Sequence, residues 1–474
     1  MVDEHKPVVD DIKEKRPWAW IIAIAIVAIV AFSAGYFPFH STTSSNTVHV
    51  QFYESLAPSE ASYMNNTLIP MFEQQYPGIK VTLVNVGSGQ VSTDVLAMEQ
   101  SGNIGPVVAG QDNLEIGQLI YSSSGNVLMN LTNSSSAVLP SHLTPAGQNL
   151  TNYEKSVFGG TYFFPFRGNV PLVFYNKTSF SKSGITTPPA NYSQLLNDAK
   201  KLANNNSGVG QIMIQGGSTN GVRGGSSTAT EMYQMMVQFG GNPLYLNDSG
   251  DIQAMQYLYN LSPYLNSGYH SGYWGTYSGL ATGKYSMVDY QWPYIYNNLI
   301  KAPYNMSPKT LGFYPGPSGP NKSSGSNHLL GGDVLFIPKG ATNVPSLEAF
   351  MHFLLSANVQ KDTLLNLSWV AINSAAYQNL PAAYSAIDGA LGNATASGLF
   401  LRNPTPWITE WQTIFCNDVF NKLFPVSGTT TGYASIPSLM WAAHNATYTY
   451  ILNNYGSANA TLYQSPSAYA PITV

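Results

Sequence analysis

Carboxylates and aromatic rings are the side chains of this chain with chemistry to offer. Glu54, Glu60, Asp112, Asp289 and Asp333 fall near the ends of segments patterned as strands. Two carboxylates across a pocket can hydrolyse a glycosidic bond, but only at a set separation, which sequence spacing does not supply. No GxSxG, HExxH or Ser/His/Asp signature accompanies them. The eight histidines are isolated, so no metal-ligand spacing arises. Cys416 is the only cysteine, which excludes an intrachain disulfide and a cysteine metal cage. The glycines at Gly87 and Gly89, and the Gly/Ser stretch 216–228, lack the Gly-Lys-Ser/Thr of a phosphate loop.

The aromatic residues carry more. There are 31 Tyr, 20 Phe and 8 Trp, most of which must be core or surface packing. Rings in loops beside glycine present flat apolar faces. Pyranose rings have apolar C–H faces and hydroxyl rims, so they suit such planes flanked by acids, amides and arginine. Trp274 lies in the glycine-rich stretch 268–275. Trp292 follows a strand-like run and directly precedes Pro293, which ends a strand and favours a loop at its edge.

The elements that must position these groups read as α/β. Val48–Phe52 alternates as a strand, a helix is expected near Glu60–Gln75, and Ile79–Val84 makes the next strand. Pro106–Gly110 is a buried strand leading to Gln111, Asp112 and Asn113. Tyr162–Phe166 and Pro171–Asn176 are short apolar runs of strand length. After Pro188 and Pro189, the residues Tyr192, Leu195, Leu196, Ala199 and Leu202 repeat at helical spacing. Gln211–Gln215 predicts a strand and Ala229–Phe239 a helix capped by Gly240 and Gly241. Residues 312–328 read as a Gly/Pro/Ser linker, and the tail from Trp407 as helical.

Four stretches resemble the extracellular sugar-binding proteins of ABC importers, the maltose-binding-protein-like family. The first is Phe72-Glu73-Gln74-Gln75-Tyr76-Pro77-Gly78-Ile79-Lys80-Val81. The second runs through Tyr162, Pro165, Phe174-Tyr175-Asn176-Lys177, Phe180, Gly184-Ile185, Pro188-Pro189, Leu195 and Ala199-Lys200-Lys201-Leu202. The third is Leu280, Gly283, Lys284, Tyr285, Ser286, Met287 and Trp292. The fourth is Gly331-Gly332, Val334–Pro338, Ala349, Phe350, Phe353, Leu354 and Gln360. The family's aspartate at the start of the third strand is absent, since Gly105-Pro106-Val107 stands there.

That resemblance implies a two-lobed, periplasmic-binding-protein-like α/β fold with a hinge and an interlobe cleft. The lobes it implies are 48–163 plus 305–345, and 164–304 plus 346–474. It implies ligand-binding residues Glu54, Asp112, Arg167, Trp274, Asp289, Trp292, Asp333 and Trp369, and no catalytic residue, metal or cofactor. Its partners would be a neutral mono- or oligosaccharide, an ABC permease and, through that, its ATPase. A glycosylated structural or adhesion protein and an extracellular glycosidase are the competing readings.

Composition places this domain outside the cell. Residues 18–37 form an uncharged apolar run of bilayer-spanning length with aromatic residues at both ends. The basic residues of 1–17 precede it, so we expect a single-pass anchor with a cytoplasmic N-terminus and a tether at 38–47. A cleaved signal peptide would have a shorter apolar region. Fifteen N-x-S/T sequons are spread over the remainder: Asn65, Asn130, Asn133, Asn149, Asn176, Asn191, Asn205, Asn247, Asn260, Asn305, Asn321, Asn366, Asn393, Asn445 and Asn459. Charged residues make up only 9%, against about 25% typically, so polarity rests on hydroxyls and amides. This resembles exported proteins of thermoacidophilic archaea. A net charge of −4 argues against nucleic acid as a partner.

Overall fold

Two separate sheets organise the chain, and the ends of their strands face a common cavity. The structure is a computed structural model that describes residues 47–87, 89–217, 226–271, 277–426 and 429–474. The expected anchor at 18–37 and the candidate Trp274 lie outside the described residues. Among the described residues no helix is long and apolar enough to cross a membrane.

The first sheet begins with β1 (Val48–Glu54), whose alternation buries Val50, Phe52 and Glu54 on one face. Helix Pro58–Tyr63 follows and continues to Gln75 through a wider turn at Met64–Leu68. β2 (Ile79–Asn85) and β3 (Val107–Asp112) flank β1 in parallel. β3 runs two residues beyond the expected Gly110, which puts Asp112 at its end. β4 (Phe163–Pro165) and β5 (Arg167–Gly168) lead out of this lobe to β6 (Leu172–Asn176).

The second sheet adds β7 (Ile212–Met213), β8 (Met287–Gln291) and β9 (Leu311–Tyr314) in the order β7-β8-β6-β9. Helix Tyr192–Asn205 covers it, burying Tyr192, Leu195, Ala199 and Leu202 as their spacing predicts. Asn191 caps this helix by accepting from the Gln194 N–H at 2.9 Å. The chain then forms β10 (His328–Leu329) and returns to the first lobe as β11 (Asp333–Phe336). β11 lies antiparallel between β3 and β4, giving the order β2-β1-β3-β11-β4. β12 (Val370–Ala371) pairs with β5, and β13 (Leu399–Leu401) joins β10 and β14 (Ile472–Thr473).

Pairing moves both expected lobe boundaries. The stretch expected as a linker holds β9, because its apolar Leu311 and Phe313 complete the second sheet beside β6. Residues 311–314 therefore belong to the second lobe, although 305–345 was expected in the first. Conversely, helices Val344–Leu355 and Ala357–Leu367 pack beneath the first sheet. Phe350 and Phe353 meet Phe72 edge-on at centroid distances of 5.0 and 5.4 Å, and such aromatic pairs exceed what area alone gives. The final helix, Ile436–Tyr463, bends at Gly456.

Candidate functional site

Residues from both lobes enclose a cavity of about 300 Å³. The first lobe contributes the carboxyl ends of β1 and β3 and the turn after β3, with Glu54, Gln111, Asp112 and Glu115, and beside them Asp333 at the start of antiparallel β11. Ligands of α/β sheets bind outside such carboxyl ends of strands. The second lobe contributes Ser227, Thr230, Trp292, Tyr294, Arg402 and Gln412, while Arg167, Asn169 and Trp369 line the crossings between lobes.

Arg167 organises the crossing. It forms ion pairs with Glu60 at 3.0 Å and with Asp333, and it is nine-tenths buried. Its guanidinium lies 4.3 Å from the centroid of Trp369, within cation–π range. The Trp369 indole N–H donates to the same Glu60 carboxylate at 2.5 Å. Glu60 also accepts from the Ala57 N–H at 2.9 Å, which starts its own helix. One carboxylate thus fixes a helix start, an indole and an arginine.

A second arginine answers from the other side. Arg402 Nη2 lies 2.6 Å from Asp112 Oδ1, and its Nη1 donates to Thr230 Oγ1 at 3.0 Å. Asp112 is held in turn by the Leu114 N–H at 2.9 Å. Two carboxyls of this cavity, Glu54 and Glu115, have no ion pair among the described residues. Glu54 accepts from the Ser55 N–H at 3.0 Å, and its other oxygen lies over Gly110, where any Cβ would collide with it. Burial above all, then the nearby Asp333, pushes the Glu54 carboxyl well above the usual range, against the pull of Arg167. Burial, then Asp112, pushes Glu115 up to about 8, with Arg402 opposing.

Of the eight residues implied by the resemblance, the structure brings Glu54, Asp112, Arg167, Trp292, Asp333 and Trp369 to this cavity. Trp369 is 2% exposed, so it supports Arg167 more than it faces open space. Trp292 is half-buried, against Gly331 and edge-on to Tyr290. Asp289 is not brought there. It lies on β8 beside Glu231 and Tyr192 at a separate gap of about 10 Å³, where burial pushes its carboxyl up to about 7.

Glu115, Arg402 and Gln412 did not stand out in the sequence. Their signals were an acid between Leu114 and Ile116, and an arginine directly after Leu399-Phe400-Leu401. In a chain with so few charges, a charge inside an apolar run marks a buried polar site.

Residues 51–361 match the sequence profile of the bacterial extracellular solute-binding protein family. No curated protein matches the chain by sequence. Among solved structures, maltose-bound MalE3 of T. maritima is similar with a TM-score of 0.69 and 18% identity, covering 85% of this chain and 100% of that one. The GacH receptor of Streptomyces glaucescens gives 0.67 and 18%, covering 85% and 98%. Lmo0181 of Listeria monocytogenes, in complex with cycloalternan, gives 0.65 and 16%, covering 86% and 99%. These likenesses establish the two-lobed fold, and the profile spans most of the chain. Proteins of this family bind solutes without turning them over. The chain belongs to the bacterial extracellular solute-binding protein family and is a binding protein, not an enzyme.

Proposed function

We propose that this protein captures a neutral mono- or oligosaccharide outside the cell and delivers it to an ABC permease and its ATPase. The observation that carries this reading is the charge arrangement of the cavity. Glu60 and Asp333 share the one charge of Arg167, and Asp112 pairs with Arg402, so these five groups sum to a single negative charge. Glu54 and Glu115 favour their uncharged forms because of burial. Such a cavity offers hydrogen-bond donors and acceptors without a strong net charge, which suits a polyhydroxyl ligand. Trp292 and Tyr294 add rings on the second-lobe side. Similar proteins have been solved with maltose and mannotriose. At about 300 Å³ the cavity is at the small end for ligand sites, which favours a short saccharide.

Calorimetric titration of the purified protein with maltose, mannotriose and chitotriose tests this. Binding of at least one, without turnover, supports the reading. Binding of none, with binding of a charged solute instead, overturns it. Membrane retention through 18–37 belongs to the same proposal. Mass analysis of the mature N-terminus checks it, and an N-terminus after residue 33 would refute it.

A further inference from the structure

The segment Arg402–Thr409 belongs to the second lobe. It follows β13, and helix Ile408–Ile414 packs on helix Ser226–Gln238 and on Ile436–Tyr463. Trp411 sits edge-on to Tyr233 of helix Ser226–Gln238 at 5.8 Å. Yet along one edge of the cavity this segment and its helix reach across to the first lobe, where the helix also packs on the turn Asn113–Glu115. Arg402 holds Asp112 at 2.6 Å. The Gln118 amide donates to Thr409 Oγ1 at 2.7 Å. Between them, Gly117 meets the backbone of Pro404 so closely that a Cβ there would stand 2.7 Å from its carbonyl carbon.

Gly117 is the informative residue. It is the second residue of helix Ile116–Ile120, an element in which alanine is ordinarily favoured over glycine. Nothing in the helix itself asks for glycine; the close approach of Pro404 from the other lobe does. All these contacts are between protein groups, so none needs a ligand to form. The segment also lies beyond residues 51–361 that match the family profile.

We propose that Arg402–Thr409 is an interlobe latch, which holds this edge of the cleft shut through protein contacts alone. A bound solute then supplies only the remaining closing free energy, because a ligand shifts an equilibrium by its differential affinity for the two states. The proposal concerns regulation of the solute site and rests on the reading of that site as a closing cleft. Its test needs no ligand.

The sole cysteine, Cys416, is 1% exposed, so introduced surface thiols can be labelled without interference. Gln74→Cys places a spin label on the first lobe and Lys200→Cys one on the second, both at exposed positions. In the ligand-free full chain, pulsed electron resonance should give mainly one short interlobe distance. Adding Gly117→Ala should move most of the population to a longer distance, because the methyl has only backbone to push against. Gln118→Ala, which adds no bulk, should move a smaller share. A melting transition like that of the doubly labelled parent establishes that the variants fold. An unchanged distance distribution in both folded variants overturns the latch, as does a parent already at the long distance. If a charged solute binds and no saccharide does, the saccharide reading fails while these distances still decide the latch.

Discussion

Asp112 and Asp333 are register partners across the antiparallel β3–β11 ladder, Asp112 paired with Arg402 and Asp333 sharing Arg167 with Glu60. Like charges opposite one another destabilise a sheet. Here Arg167 from one crossing and Arg402 from the second lobe offset that repulsion, with Arg167 also serving Glu60. The β3–β11 ladder, the crossing at Arg167 and the contact from Arg402 therefore share one electrostatic arrangement.

Removing Arg167 should be severe. Arg167→Met leaves Glu60 and Asp333 buried without a cation and takes the partner from the face of Trp369. Breaking a buried ion pair by removing one partner costs about 3–5 kcal/mol. Urea unfolding should show a loss of that size, and a loss below 1 kcal/mol would show that the crossing does not depend on the charge.

The two cavity tryptophans should separate affinity from stability. Trp369 is buried, so Trp369→Ala should lose about 3–5 kcal/mol of stability. Trp292 is half-buried and lines the cavity, so Trp292→Ala should lose less stability. Its saccharide affinity should weaken by about 1–3 kcal/mol, by analogy with base stacking on aromatic rings. Calorimetry and thermal melts on both variants check the contrast. Unchanged affinity in folded Trp292→Ala would make that ring a packing residue only.

Stability should be higher in mild acid than in mild alkali. Burial raises Glu115 and Glu154 to about 8 and Asp289 to about 7. For a raised carboxyl, the folded state binds the proton more tightly than the unfolded one. Its stabilisation is complete below the unfolded value of about 4 and is lost as pH rises through the folded value. Melting temperature should therefore fall between about pH 5 and pH 8. His328, lowered to about 4 by burial, acts in the opposite sense below its ordinary value. Glu115→Gln should flatten part of the decline, and a melting curve that rises over this window would contradict the assignment.

Glycan attachment should follow exposure. Asn65, Asn130, Asn133, Asn205, Asn260, Asn305, Asn366, Asn393 and Asn459 are exposed. Asn445 has its side-chain nitrogen buried, and the Asn321 amide is wedged against Gly240. Glycopeptide mass spectrometry of native material should find sugar on members of the first group and none on Asn445 or Asn321.

Much of the fold was legible because periodicity is local. The helix at Tyr192–Asn205 and the strands β1 and β2 follow from residue spacing. The lobe boundaries were not, since β9 joins β6 across more than a hundred residues and only pairing reveals it. The site was half legible. Strand-end acids such as Glu54 and Asp333 show themselves, because strand ends face the cleft. Arg402 and Glu115 did not, because their partners come from distant elements. Asp289 misled for the same reason: a strand residue shows its period but not which layer covers it.

Trp292 rests against Gly331, where the chain passes from the second lobe back to the first. Trp369, Trp407 and Trp411 are sealed in the interior, and Trp441 faces water. Trp292 is half-buried and lines the cavity beside this passage, where a swing of the lobes would change its surroundings. A solute that moves the lobes should therefore shift the emission of Trp292, a change readable without a dye.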